Sequence, residues 1–283
     1  MKLFVTGSTG FVGSHVVREA LAAGHEVRAL RRPGRRPRIA LEREPAWIDG
    51  PLDADHSAAL GGVDVLIHLA AHTPNPPYDT LARCLQWNVV APIALAEQAF
   101  AAGVRCFLVA GSCFEYGRAS RREPSVGPDT PLEPDLSYPT SKAAASVAFE
   151  GFAREKGVSL KLLRLFQVFG EGEQETRLWP SMRRAALEGR DFPMSAGEQL
   201  REFTPVEFVA RRFVDALDFS DVVPGEPAVQ HVATDEPRTL LAFAQEWWAR
   251  WGATGRLLPG AVAYRPNEIM SLASRPPRGR SRN

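Results

Sequence analysis

Lysine is scarce in this chain. Of thirty-four basic residues only Lys2, Lys142, Lys156 and Lys161 are lysines, and the remaining thirty are arginines. Cysteine is rarer still. Cys84, Cys106 and Cys113 are odd in number and unpaired in spacing, which excludes a disulfide framework and a zinc ligand set and points to a reducing, cytoplasmic compartment. No apolar run approaches the ~20 residues needed to cross a bilayer, so no membrane association is expected. The opening stretch Met1–Gly7 is too short and too soon broken by glycine to read as a signal peptide. Charge of one sign is also missing. The formal net charge is +1, which removes the global electrostatic case for a nucleic-acid or membrane-surface protein. Repeats at solenoid periods are absent as well.

What is present is ordinary globular composition, with 45% hydrophobic and 24% charged residues over 283 positions. That length suits one large domain or two small ones. Short apolar runs alternate with helical patterns through the first half. Strands are expected at Leu3–Val5, Val27–Leu30, Ala46–Ile48, Val63–Ala70, Cys106–Ala110 and Leu160–Phe166. Helices are expected at Val12–Ala23, Leu81–Ala102 (bent at Pro92) and Pro139–Lys156. This alternation implies an α/β, Rossmann-like doubly wound parallel sheet covered on both faces. The second half is less regular, with helical patterns at Leu178–Leu187, Pro205–Leu217 and Leu240–Trp251 and a strand at Val229–Val232. A dinucleotide-binding domain over 1–165, completed by parts of 203–235, is expected. Residues 166–283 would form mostly a smaller substrate-binding lobe, and the arginine-rich 275–283 a disordered tail.

The segment Gly7-Ser8-Thr9-Gly10-Phe11-Val12-Gly13 spaces its glycines as G-x-x-G-x-x-G between the first strand and the first helix. Glycines there let bare backbone N–H groups approach a pyrophosphate at the positive end of a helix. After the second strand an acid would favour a free ribose 2′-hydroxyl. Arg31 and Arg32 stand there instead, with no acid before Glu42, and an arginine fork suits a 2′-phosphate. NADP(H) is therefore the preferred cofactor, with NAD(H) as the other possibility.

Tyr138 and Lys142 form Y-x-x-x-K at a helix start set by Pro139, and residues four apart share a helix face. An ammonium beside a phenol lowers its pKa from ~10 and readies it for proton exchange. Ser112 follows the fifth strand and would open into the same crevice, where it can donate a hydrogen bond to a carbonyl or alkoxide. His68 lies in an apolar strand without a second ligand at useful spacing, so no metal is expected.

These segments, together with His68-Leu69-Ala70-Ala71, Asn88, Tyr116-Gly117, Arg164–Gly170 and Arg201–Val206, resemble the extended short-chain dehydrogenase/reductase family, in its NAD(P)-dependent nucleotide-sugar epimerase, dehydratase and reductase group. The resemblance implies Tyr138 as catalytic acid/base, Lys142 on the nicotinamide ribose and Ser112 on the reacting oxygen. It implies a cofactor channel lined by Gly7, Thr9, Gly10, Phe11, Val12, Gly13, Leu52, Leu69, Ala70, Ala71 and Asn88. It implies substrate contacts from Thr73, Cys113, Phe114, Gln167 and Arg201, the last on the diphosphate. A nucleotide-diphosphate sugar and a homodimer built on the two long helices follow by the same analogy. Family dehydratases carry an Asp-Glu pair where Cys113 and Phe114 stand, so 4,6-dehydration is not expected. The expected activity is NADPH-dependent reduction of a nucleotide-linked 4-keto-6-deoxyhexose. The alternatives are an NAD-dependent 4-epimerase and a non-catalytic NADP-sensing protein.

Overall fold

The structure is a computed structural model that describes residues 1–123, 125–265 and 268–275. Its centre is a seven-stranded sheet whose members are all parallel: β1 Lys2–Thr6, β2 Glu26–Arg31, β3 Ala46–Asp49, β4 Val65–His68, β5 Cys106–Ser112, β6 Ser159–Leu165 and a last strand, Ala228–Val232. Across the sheet the order is β3-β2-β1-β4-β5-β6 and then Ala228–Val232. The order reverses between β1 and β4, and in an open α/β sheet a ligand crevice forms outside the strand C-termini at that switch.

The strands are apolar on both faces because both faces are covered. In β1, Leu3 and Val5 enter one core with Val16, Val17 and Ala20 of helix α1 (Phe11–Ala22), while Phe4 enters the other. That second core joins Leu66 and Phe107 to Leu95 and to Phe149 and Phe152 from two further helices. Each fully buried aliphatic or phenyl side chain contributes about 1.5–3 kcal/mol of transfer free energy, so the two layers fix the sheet before any polar contact is counted.

Three short helices follow in chain order: α2 Ser57–Leu60, α3 Leu81–Leu85 and, after an intervening π-helical turn Gln86–Val90, α4 Ala91–Ala101. The sequence suggests one helix here, bent at Pro92. Proline has no N–H for the carbonyl of Asn88 and its ring collides with that group. The local solution is the wider π turn, which leaves Asn88 buried inside the bend. Helix α5 (Ala119–Arg122) is a single turn, and α6 (Ser137–Lys156) is the longest in the chain.

The second lobe packs α7 (Leu178–Leu187) and α9 (Leu240–Arg250) around Phe169, Met182, Phe203, Phe243 and Trp248, with Phe203 and Phe243 stacked at 3.8 Å. Trp248 is buried and donates to the Gly255 carbonyl, while Trp247 and Trp251 pack edge-on or tilted around Trp179. Helix α8 (Val206–Asp215) returns to the sheet and lays Phe213 and Val209 against the α1 side. The tail expected to be disordered begins at Arg275, yet Arg275 is anchored: its N–H donates to Val126 and its guanidinium pairs with Asp129. Residues 276–283 lie outside the described residues.

The turn leading into α7 holds a perturbed acid. Glu173 is 7% exposed, its Oε2 has no partner among the described residues, and burial pushes its carboxyl up to about 7 against the pull of Arg177 at 3.3 Å. In the unfolded chain the same group ionises near 4.5. Between those values the unfolded chain has released a proton that the folded chain keeps, so this residue erodes stability as pH rises and the loss is complete above about 7. Glu173→Gln is expected to stabilise the protein by roughly 1–3 kcal/mol at pH 8 and to change nothing at pH 4. Thermal melts at the two pH values check this, and an equal effect at both would refute it.

Candidate active site

Helix α1 begins at Phe11 behind Gly10, with no side-chain cap and no acid in its first turn. Its first N–H groups are left for an anion, at the end where the helix dipole favours negative charge. Gly7 is at φ +68°, and a Cβ there would meet Ala70 N at 2.6 Å. A Cβ on Gly13 would lie 2.0 Å from the Gly7 carbonyl oxygen. The Gly10 N–H donates to that same oxygen at 2.8 Å. Gly7 and Gly13 are thus required by close backbone approach, and the loop passes directly against Leu69-Ala70. Thr6 holds that crossing, its Oγ1 accepting from the N–H groups of Leu69 and Ala70 and lying 2.8 Å from His68 Nδ1. Burial, and then the Lys142 charge, push His68 down to about 3. It is a neutral core residue. Thr9, Phe11 and Val12 are half-buried around the loop, as are Leu69 beside it and Leu52 after β3, whereas Ala71 is exposed.

The second half of the site is a corner at the end of β5. Ser112 caps the 3₁₀ turn Cys113–Tyr116, its Oγ accepting from Phe114 N, while Glu115 reaches back to accept from Ser112 N at 2.6 Å. Tyr138 and Lys142 face this corner from α6, and both are buried. The Ser112 hydroxyl lies near the Tyr138 phenol, and Tyr78 stacks on the Tyr138 ring at 5.5 Å. Lys142 Nζ donates to the Ala110 carbonyl at 2.7 Å. The phenol differs from expectation. Burial first, then the Glu115 charge, raise Tyr138 above its ordinary value, and the Ser112 hydroxyl opposes them. Burial pulls Lys142 down and Glu115 pulls it back up. In this structure Tyr138 is a neutral phenol rather than a phenolate.

The loop 70–79 is fastened to the same helix. Asn88, inside the π turn, accepts from His72 N at 2.6 Å and donates to His72 O and to Ser141 Oγ. Asn88 was expected to line the cofactor channel; the structure shows it clamping the loop to α6. Thr73 sits at φ +47° with its hydroxyl turned to Cys84 and the Asp79 N–H. Cys113 is buried, and burial pushes its thiol up to about 12, which makes it inert. Phe114 and Gln167 are half-buried beside it and at the start of the strand Gln167–Phe169.

Two predicted phosphate binders are engaged elsewhere in the chain. Arg31 meets Asp49, its register partner on β3, with Nε–Oδ1 at 2.8 Å and Nη2–Oδ2 at 3.3 Å, and lies over the Trp47 ring. Arg32 is exposed. Arg201 is buried and donates to Glu268, to the Ile269 carbonyl and to the Leu200 carbonyl. Its neighbours in space include Cys113, whose thiol feels the guanidinium charge.

Sequence reasoning missed Glu115 and Ser146, although a signal existed for both. Ser112 and Glu115 have capping-box spacing, and Tyr138, Lys142 and Ser146 recur every four residues along one face of α6.

Known proteins are similar to this chain. A model of the NAD dependent epimerase/dehydratase family matches residues 3–229. The chain is 26% identical over 249 residues to UDP-glucose 4-epimerase of Corynebacterium glutamicum, covering 78% of this chain and 72% of that protein. It is 23% identical over 262 residues to a dTDP-6-deoxy-L-talose 4-dehydrogenase (NAD(+)) of Aggregatibacter actinomycetemcomitans, covering 88% and 90% respectively. The solved structure of MoeE5 in complex with UDP-glucose and NAD superposes with a TM-score of 0.80 at 27% identity, over 97% of this chain and 89% of that one.

The glycine geometry gives a direct test. Gly13→Ala must push the Gly7 carbonyl aside; added NAD is expected to raise the melting temperature of the unaltered protein and not that of this variant. A thermal-shift titration checks this, and an undiminished shift would show that the loop does not hold the cofactor.

Proposed function

The chain belongs to the NAD dependent epimerase/dehydratase family, and we propose that it reduces a nucleotide-linked 4-keto-6-deoxyhexose at C4, with Tyr138 as the proton donor. The observation that carries this reading is the state of the corner at Ser112. Tyr138 is buried and held as a phenol, and the places of the family's dehydratase acids are taken by an inert thiol and a phenyl ring. The 4-dehydrogenase relative, which this chain covers to 90% of its length, acts at the same sugar position by its name.

The residues present fit a dinucleotide. The uncapped α1 N-terminus would take the pyrophosphate, with Gly7, Gly10 and Gly13 leaving room for it and Thr9, Phe11 and Val12 beside it. Leu52, Leu69, Ala70 and Ala71 would line the rest of the channel. A bound nicotinamide supplies the hydride that the C4 carbonyl accepts. Tyr138 gives its phenolic proton to the alkoxide oxygen that forms, so C4–O becomes a hydroxyl. Ser112 steadies that oxygen with a hydrogen bond, and Lys142 offsets the negative charge left on the phenol. Thr73, Cys113, Phe114, Gln167 and Arg201 would surround the sugar and its diphosphate.

The choice of coenzyme turns on Arg31. One edge of its guanidinium is paired with Asp49, and that carboxylate would repel a 2′-phosphate. The MoeE5 complex holds NAD. We therefore place NAD(H) first and NADP(H), the preference read from Arg31 and Arg32, second. A 4-epimerase is the alternative activity, favoured by the Corynebacterium relative. It would oxidise and re-reduce C4 on NAD held tightly enough to turn over without added nicotinamide. The cytoplasmic placement and the homodimer belong to the same reading. Among the described residues no helix is long and apolar enough to cross a membrane, and the exposed Leu81, Val90 and Val147 give the paired helices an apolar outer face.

Two variants test the reading. Tyr138→Phe is expected to lower kcat for a 4-keto-6-deoxyhexose nucleotide by roughly 10²–10⁴-fold, the range for loss of a general acid, and to leave NAD binding intact. Full activity in this variant would dismiss the proton-donor role, and stoichiometric NAD in the purified protein with cofactor-free turnover would favour the epimerase. Asp49→Asn frees the Arg31 fork and is expected to raise kcat/KM with NADPH relative to NADH by about tenfold. An unchanged ratio would remove Arg31 from cofactor choice.

A further inference from the structure

Glu115 is hydrogen-bonded through both carboxylate oxygens and has no place in the proton transfer described above. It is 0% exposed. Its Oε1 accepts from Ser112 N at 2.6 Å, and its Oε2 accepts from Ser146 Oγ at 2.7 Å and from Arg164 Nε at 3.0 Å. Ser146 stands one turn beyond Lys142 and two turns beyond Tyr138, on the same face of α6. The carboxylate therefore sits at the end of a helical stripe whose other two members are the proposed proton donor and its lysine. Behind it the contacts continue. Arg164 Nη1 donates to the Tyr116 hydroxyl at 2.8 Å and to the Pro128 carbonyl at 3.2 Å. The same Tyr116 hydroxyl shares a hydrogen bond of 2.5 Å with His231 Nε2. His231 Nδ1 has no partner among the described residues. Tyr116 and His231 are both neutral, so the relay adds no charge.

A capping contact alone does not require a charge here, because an uncharged amide could accept from Ser112 N equally well. Burying an ion pair is costly and is weak evidence of a role in stability. The charge itself calls for another reason. We propose that Glu115 is a positioning residue of the catalytic site: it fixes the Ser112 corner against α6 and supplies the buried negative charge that holds Tyr138 as a proton donor and Lys142 as an ammonium. This rests on the reading of Tyr138 as the acid. The other groups facing Tyr138 are Ser112 and Cys113 from the corner, Tyr78 from the loop and Lys142 from its own helix. Those facing Glu115 are Arg164 from β6, Tyr116 and Cys113 from its own turn, and Ser146, Lys142 and Tyr138 from α6. The thiol and phenols are neutral, so Glu115 is the negative charge in this group and acts in the same sense on both catalytic partners.

The test reads Tyr138 without any sugar. The chain has four tyrosines, and subtracting the tyrosinate absorbance titration of a Tyr138→Phe partner isolates this one. In Glu115→Gln, which keeps the side-chain size, Tyr138 is expected to ionise at a pH lower by about one or more than in the unaltered protein. An unchanged or higher ionisation pH overturns the proposal. Should Glu115→Gln fail to fold, Glu115→Asp keeps the charge and shortens its reach. It is then expected to lose turnover while Tyr138 ionises as in the unaltered protein, and a fall of about one pH or more in that variant overturns the proposal. Failure of the 4-ketoreductase reading shows elsewhere, as absent turnover of the keto sugar by the unaltered protein, and leaves the titration result standing.

Discussion

The buried carboxylate of Glu115 is bonded through both oxygens to three parts of the chain: the end of β5, helix α6 and strand β6. Together with the Lys142 bond to the Ala110 carbonyl, these contacts set the relative placement of Ser112, Tyr138 and Lys142. Ser112 comes from a strand end and Tyr138 from a helix start, and nothing local to either brings them together. Arg164 balances the charge from the neighbouring strand and passes the contact to Tyr116, whose hydroxyl ends on His231 in the last strand of the sheet. Removing either member of such a pair leaves an unbalanced buried charge, at a cost of about 3–5 kcal/mol. The Ser112 corner is thereby tied to the sheet by polar contacts laid over an otherwise apolar scaffold.

The same logic governs the cofactor side. The sheet supplies strand ends, and short side chains hold the loops that leave them. Thr6 receives two backbone N–H groups where the glycine loop crosses the end of β4. Asn88 does similar work for the loop 70–79, and it can do so because Pro92 forces the preceding turn open. A substitution that straightened that turn would rotate Asn88 away from His72 and Ser141. The π turn is a positional device, in keeping with the placement of such turns near functional sites.

Much of this was legible in the sequence, for a physical reason. The glycine loop, Tyr138/Lys142 and the strand–helix alternation are local patterns, written within a few residues of each other. Gly7 and Gly13 stand where the backbone tolerates no Cβ, so the residue type declares the geometry. What failed to show were pairings set by tertiary register. Arg31 reads as a free phosphate binder until β2 and β3 pair and place Asp49 opposite it. Arg201 reads as a diphosphate grip until the chain returns some seventy residues later with Glu268. The expectation that Lys142 would lower the Tyr138 pKa omitted burial, which acts on both groups and in opposite directions on their pKa values. Arg275 reads as the start of a loose tail until Val126 and Asp129 are brought beside it.

The Arg201–Glu268 contact has a thermodynamic consequence. An anion that takes the place of Glu268 on this guanidinium displaces a carboxylate seated on it at 2.9 Å. Its affinity is then a difference between two ion pairs rather than the strength of one. A ligand with a single diffuse charge gains little from the exchange. One that brings concentrated charge, as a diphosphate does, gains more. The displacement cost is common to every anion, so it lowers all their affinities equally, and only an anion whose own interaction exceeds that cost would occupy the guanidinium.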